Sequence, residues 1–395
     1  MNTAPTDPLA VETVELLRTL VAIDSVNPSL VPGAAGETEI ADFIATWAQE
    51  QGLEVERLED TPGRPSVLVS SRGGGRAGAG MGIAKTLMLC AHTDTVGVGK
   101  MTDPLDPVVL GDRIYSRGVY DMKAGLAAAL IACREADRLH LPGRVVVAAV
   151  ADEEHSSLGV QEVLRKVHPD AAIVTEPTEL TVATAHRGFV WTQINVVGVA
   201  AHGSRPHLGL DAILKTGPIL VALADLNEQL RTRQHPRLGR GFVHGGLIAG
   251  GREESTIPDS CVLTVERRTL PGETQADVEA DIEALLARCR TADPDLDATA
   301  TTTLARPPFE IADHHDFVRT VADAATQALN RPAELAGVSY WADASLIANA
   351  GIPTVLYGPS GDGAHAIVEW ASAISTIDCT RALIQVATDF CGPRT

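Results

Sequence analysis

The sequence predicts an α/β protein, a mostly parallel sheet flanked by helices, with a smaller α+β unit inserted into it. Three observations point there. Continuous apolar runs, LMLCAH (87–92), RVVVAAVA (144–151) and AAIVTE (171–176), read as strands buried on both faces. Helical segments alternate with these runs, the order of a parallel sheet covered by helices on its two sides. Near residue 188 the texture changes to apolar–polar alternation in FVWTQINVVGVA (189–200), the mark of a sheet with one solvated face.

The elements follow in order. AVETVELLRTLVAI (10–23) places Val11, Leu16, Leu17, Leu20 and Val21 at helical spacing and stops before Asn27-Pro28. A second helix begins near Glu37 and closes at Gly52, where glycine suits a helix end. SVLVS (66–70) and KTLMLCAH (85–92) are strands separated by a glycine-rich turn over 72–80 that reads as a flexible loop. The alanine-rich helix MKAGLAAALIACREADRLH (122–140) opens just after Asp121, and EVLRKVH (162–168) is a short helix between the next two strands. From 189 the order is strand, helix (211–230), strand (241–251), strand (260–270) and helix (275–290), with residues 299–304 able to close the unit as one more strand. That order is a small unit of the ferredoxin-like kind. After Pro307-Pro308 the α/β texture returns with the helix HDFVRTVADAATQAL, the strand TVLYG and the terminal helix STIDCTRALIQVATDF. The expected domains are 1–188 and 306–395, together forming one α/β domain, and 189–305 inserted between them.

Composition narrows the function. At 395 residues the chain exceeds one ordinary core. A formal charge of −19, from 32 basic and 51 acidic residues, argues against nucleic acid or an anionic membrane as partner, since both need a basic face. The N-terminus has no basic region followed by a long apolar stretch, and no window reaches a membrane span. A cytoplasmic protein is expected. Six cysteines without a C-x-x-C pair read as reduced core thiols.

The chemistry lies at the ends of the apolar runs, in His92, Asp121, Glu154, Glu176 and His365. Each alone has an ordinary explanation. Asp121 suits a helix N-cap, Glu153 and Glu154 suit solvated strand ends, and Glu176 precedes a turn at Pro177. Together they converge, because parallel strands bring their C-terminal ends to one rim. Carboxylates sharing a dry rim repel unless cations neutralise them, and two divalent ions would do so. Asp94, two residues after His92, is placed to accept the imidazole's second N–H. On an extended chain Glu153 and Glu154 point opposite ways, so one can ligate while the other reaches a water. Imidazole and carboxylate ligands without thiolate suit zinc, with cobalt or manganese as alternatives, in an open catalytic site.

The motifs AHTDTV, GVYDMKAG, ADEEHSS, TEPT and GDGAH followed by Glu369 resemble the co-catalytic metallopeptidase and deacylase family that includes acetylornithine deacetylase, succinyl-diaminopimelate desuccinylase, aminoacylase and carboxypeptidase G. The resemblance covers essentially the whole chain and implies a zinc-exopeptidase-like catalytic domain. It also implies a role for each position. His92 and Glu176 would hold one metal, Glu154 and His365 the other, and Asp121 both; Glu153 would be the general base, with Asp94 the partner of His92. The inserted domain would be a dimerisation lid that makes the protein a homodimer. It would carry His202, in AHGSRPHLG, toward the partner subunit's active site. Arg268, three before Pro271, would clamp a substrate carboxylate. Two positions depart from the family's usual pattern: Thr256 stands where Asn is common, and His155 replaces a smaller residue.

The implied activity is hydrolysis of the amide bond of an N-acyl amino acid, as in acetylornithine deacetylase or succinyl-diaminopimelate desuccinylase. Glu153 would take the proton of a water held between the ions and return it to the departing nitrogen. A dipeptidase or carboxypeptidase of the same family is the close alternative, and a non-catalytic, metal-stabilised dimeric binding protein the reading from another class.

Overall fold

A computed structural model describes residues 7–73 and 84–393. The chain forms two compact units, one of Met1–Thr184, Ile311–Ala336 and Ala342–Thr395, the other of Ala185–Glu310 with Gly337–Trp341.

In the first unit the strands Arg144–Val150, Thr86–His92, Ala171–Val174 and Thr354–Leu356 lie side by side in that order and run parallel. Antiparallel strands extend this centre: Ser66–Ser70 and then Glu54–Leu58 on one side, and on the other Val182–His186, whose last two residues are counted with the second unit. The central strands are buried along almost their whole length, which is why they read as unbroken apolar runs. Helices Pro8–Ala22, Ala124–Arg138, Asp316–Leu329 and Ala373–Cys391 build the main core with them, through Leu17, Leu20, Leu126, Leu130, Val321 and Leu383. Helix Ala124–Arg138 is buried on nearly all sides, and its alanines let it sit close to its neighbours.

The second unit is a four-stranded antiparallel sheet in the order Phe242–Gly250, Ser260–Thr269, Gly188–Val197, Asp297–Arg306. Helices Ala212–Gln229 and Gln275–Ala292 cover one face, where Ile219, Leu223, Ile282 and Leu285 meet Ile194, Leu263 and Val265. Asp211 caps the first helix by accepting from Leu214 N, and Thr274 with Asp277 forms a reciprocal cap on the second. The strand suggested at 299–304 is present as Asp297–Arg306 and completes the ferredoxin-like order.

Some elements differ from expectation. The helix expected over 162–168 instead spans Leu158–Leu164, because Gly159 N donates to Ala151 O and starts it earlier. Glu54–Leu58 carries no strand signal in the sequence, because four of its five residues are exposed or half-exposed. The small sheet of Val108–Leu110, Arg113–Tyr115, Gly361–Asp362 and Trp370–Ser372 also lacked a signal, its strands being two or three residues long. Of the loop expected over 72–80, residues 74–80 lie outside the described residues. All six cysteines are buried and unbridged, as expected of core thiols. Among the described residues no helix is long and apolar enough to cross a membrane.

Candidate active site

The rim at the C-terminal ends of the parallel strands gathers His92, Asp121, Glu153, Glu154, Glu176 and His365, all from the first unit. His92 ends its strand and is buried; Thr175 N, donating to Cys90 O at 2.9 Å, ties the neighbouring strand end beside it and so brings Glu176 alongside. The helix that follows Asp121 is held against this strand end by Gly125. A Cβ there would lie 1.9 Å from Thr175 O, so only glycine permits the contact. Asp121 is not a helix N-cap: the helix starts at Ala124, and Asp121 lies in the preceding turn with φ −113° and ψ 92° and a cis peptide bond to Met122. His365 adopts φ 62° in its loop and keeps 54% of its side chain exposed.

The distances join these residues into one cluster. His92 Nε2 lies 3.0 Å from Asp121 Oδ1 and 3.7 Å from Glu176 Oε1. His365 Nε2 lies 3.3 Å from Asp121 Oδ2 and 3.1 Å from Glu154 Oε2. Asp121 therefore turns one oxygen to each imidazole. Ligand atoms of His92, Glu153 and Glu176 all fall within 4.8 Å of one another, as do those of His92, Asp121 and Glu154.

Two features test whether this donor set fits metal ions. His92 Nδ1 is 2.8 Å from Asp94 O, a carbonyl that only accepts, so Nδ1 carries the hydrogen and the Nε2 lone pair of the neutral ring faces carboxylate oxygens. Two acceptors at that range need a proton or a cation between them. Glu154 Oε1 is likewise buried with no hydrogen-bond partner among the described residues. The cluster thus fits a divalent ion.

The electrostatics agree. Burial raises Glu153, Glu154 and Glu176 above the usual carboxylate range, and neighbouring carboxylates add to it: Asp121 beside Glu154 and Glu176, Asp343 and Glu176 beside Glu153. Burial would raise Asp121 too, but the two imidazoles outweigh it and hold its carboxyl low. For His92 burial works downward, yet Asp121, Glu176 and Glu153 raise its pKa well above the usual value. Hydrogen bonds to Asp121 and Glu154 push His365 up to about 10. Protons here stand where positive charge is demanded.

Two sequence expectations need correction. The Asp94 carboxylate does not take the second N–H of His92. It lies 3.7 Å from Nδ1, while the Asp94 carbonyl, bent back at the strand end, takes that bond at 2.8 Å. The carboxylate instead accepts from Glu153 N (3.1 Å), Glu154 N (3.2 Å) and Asn27 Nδ2 (2.7 Å). Glu153 and Glu154 also do not lie on an extended chain. They sit in a turn that opens with Asp152 at φ 67°. The division of the two side chains comes from this turn.

Glu369, which follows GDGAH, has a role that the sequence alone does not reveal. It is buried and accepts from Gly118 N (3.0 Å), Tyr120 N (3.0 Å), Asp121 N (3.2 Å) and Arg117 Nη1 (2.6 Å), while Arg117 Nη2 donates to Ala366 O. The Asp121 turn and the His365 loop are thereby fastened together. No local pattern marks this, because the partners are some 250 residues apart.

His202 and Arg268 belong to the second unit. His202 pairs with Thr256 across a two-residue bridge, is exposed, and its Nδ1 lies 2.8 Å from Ser204 Oγ. Arg268 is half-buried on the sheet face away from the helices, 3.1 Å from Glu266 and 5.3 Å over the Phe189 ring.

The fold and this carboxylate–imidazole rim define a hydrolase of the metallopeptidase class. The chain matches Peptidase family M20/M25/M40 over residues 88–389; it belongs to that family and is an enzyme that hydrolyses amide bonds. The resemblance read from the five motifs is thus borne out. It is 28% identical to acetylornithine deacetylase of Proteus mirabilis, an alignment covering 96% of each protein. Among solved structures it is similar to aminopeptidase PepT of Bacillus cereus, with a TM-score of 0.78, 19% identity and coverage of 96% of this chain and 99% of that one. It is also similar to the YXEP protein of Bacillus subtilis, a dinuclear metal-binding peptidase of the M20 family, with a TM-score of 0.72, 15% identity and coverage of 96% and 97%.

Proposed function

We propose that the chain is a two-metal N-deacylase that cleaves the amide of an N-acyl amino acid, with N-acetylornithine or N-succinyl-diaminopimelate as the first candidates. The carrying observation is that His92 Nε2 lies 3.0 Å from Asp121 Oδ1 and 3.7 Å from Glu176 Oε1 in a buried rim, while Nδ1 is turned to the Asp94 carbonyl, so that a positive charge is called for between them. Similarity to acetylornithine deacetylase along 96% of both chains supports the substrate class. His92 and Glu176 would hold one ion and Glu154 and His365 the other, with Asp121 shared between them. Zinc is the expected metal, with cobalt or manganese as alternatives. When bound, the ions supply Lewis acidity at the scissile carbonyl and acidify water near neutral pH.

The protein's own groups do the rest. Glu153 takes the proton of the attacking water and delivers it to the departing nitrogen. His202 of a partner copy steadies the oxyanion charge, and Arg268 pairs with the free carboxylate of the substrate. Exposed apolar residues on the helix and edge strand of the second unit support a homodimer: Leu214 is 74%, Val221 65% and Leu247 73% exposed. Buried reduced thiols are in keeping with a cytoplasmic enzyme.

The test is a panel of N-acyl amino acids and dipeptides, assayed after chelation and restoration of zinc, cobalt or manganese. Metal-restored release of acetate or succinate is the expected result. Faster cleavage of dipeptides would make the chain a peptidase instead. A chain that unfolds on chelation and turns over none of the panel would overturn the catalytic reading.

A further inference from the structure

Behind the rim lies a buried polar cluster of which Asp94 has already entered the site described above. Its members are Asn27, Glu37, Arg64, Asp94 and Asp152, all buried, drawn from five separate stretches of chain. Arg64 donates through Nε to Glu37 Oε2 (2.8 Å), through Nη2 to Glu37 Oε1 (2.6 Å) and Asp152 Oδ1 (2.7 Å), and through Nη1 to Ser29 Oγ (2.9 Å). Asn27 Nδ2 spans the other two carboxylates, donating to Asp94 Oδ2 (2.7 Å) and Asp152 Oδ1 (3.0 Å). Asp152 begins the turn that carries Glu153 and Glu154, and its φ of 67° is a region a residue with a Cβ enters only when held there. Its Oδ2 accepts from Ser156 N at 3.2 Å, its carbonyl from Ser156 N at 3.0 Å, and Asp94 takes the N–H groups of the next two residues.

We infer that Arg64, gripped by Glu37, is a positioning residue that sets the direction of Glu153 and Glu154 through Asp152. The guanidinium is suited to this. Its fork bonds Glu37 with two nitrogens and reaches Asp152 with a third contact, fixing distance and angle together, whereas an ammonium supplies charge without that geometry. Displacement of Asp152 would turn both glutamates, the base and the ligand, away from His92 and Asp121.

Two variants test this, Arg64→Lys and the milder Glu37→Gln, in the full-length, metal-restored enzyme. The kinetic part rests on the hydrolase reading; zinc affinity, measured by competition with a chromogenic chelator, does not. For Arg64→Lys we expect zinc affinity and kcat each to fall about 10- to 100-fold, the usual scale for groups that orient metal ligands, with KM within about threefold. Glu37→Gln should move both in the same direction by less and serves if Arg64→Lys does not fold. A folded variant with wild-type zinc affinity and wild-type kcat overturns the inference, as does a change confined to KM. Should the wild type turn over none of the substrates, the hydrolase reading fails by itself, and the ratio of zinc affinities still decides the role of Arg64.

Discussion

Arg117 Nη1 donates to Glu369 Oε2 at 2.6 Å, and both side chains are almost wholly withdrawn from water. This pair closes the site from below: Glu369 gathers three backbone N–H groups of the Asp121 turn, and Arg117 reaches the His365 loop. Glu369→Ala would leave a buried guanidinium unpaired and is expected to cost about 3–5 kcal/mol. Urea denaturation with and without zinc measures it, and a loss below 1 kcal/mol would show that the pair does not hold the turn.

Glu153→Gln is the sharpest separation of catalysis from ligation. The amide keeps the size of the side chain but cannot take a proton, so kcat should fall by at least ~10²-fold while both metals stay bound. Metal content by mass spectrometry is the control. Because Glu153 shares a 4.8 Å cluster with His92 and Glu176, loss of one ion would reassign it as a ligand.

Gly125→Ala places a methyl group 1.9 Å from Thr175 O, where the obstacle is backbone. The helix or the strand end must move, which is expected to cost at least ~1–3 kcal/mol and to pull Asp121 away from Glu176. Thermal denaturation should show a lower midpoint, and metal affinity should drop with it.

Away from the site, Arg72 holds Asp137 below the usual carboxylate range, its Nε donating at 3.1 Å and its backbone N at 2.8 Å. A lowered folded-state pKa favours folding above the unfolded value, near 4, and the benefit is lost as the pH falls through the folded value. Arg72→Met removes the side-chain part, worth no more than ~1 kcal/mol for so exposed an arginine. The stability gap between wild type and variant should therefore be full at pH 6 and shrink toward pH 3. A gap that widens on acidification would contradict this.

Leu247→Lys, on the edge strand, with Val221→Asp, on the neighbouring helix, should convert a dimer to monomer in sedimentation velocity. If His202 acts on a partner's site, mixing inactive Glu153→Gln and His202→Ala enzymes should restore some turnover. No recovery in proven mixed dimers would place His202 outside the reaction.

The candidate ligands at the strand ends were legible because buried parallel strands write themselves as apolar runs, and a charge at the end of such a run stands out; His92 and Glu176 are the clear cases. The polar edge strand Glu54–Leu58 carries no such contrast. Spacing also told that Asp94 lies near His92, but not whether its carbonyl or its carboxylate meets the ring, since one backbone torsion decides that. The turn at Asp152 was hidden for a related reason, because its left-handed conformation is imposed by Asn27 and Arg64 from far along the chain. Contacts of that span leave no local pattern.

His92, Asp121, Glu154 and Glu176 all precede the second unit in the chain, whereas His365 and Glu369 follow it. During synthesis the first four are made long before the residues that complete their surroundings. Until the final segment emerges, Asp121 lacks both the imidazole on its Oδ2 side and the carboxylate that fastens its backbone. The order of translation therefore leaves any nascent chain that has not reached Glu369 without the full set of groups gathered at the rim.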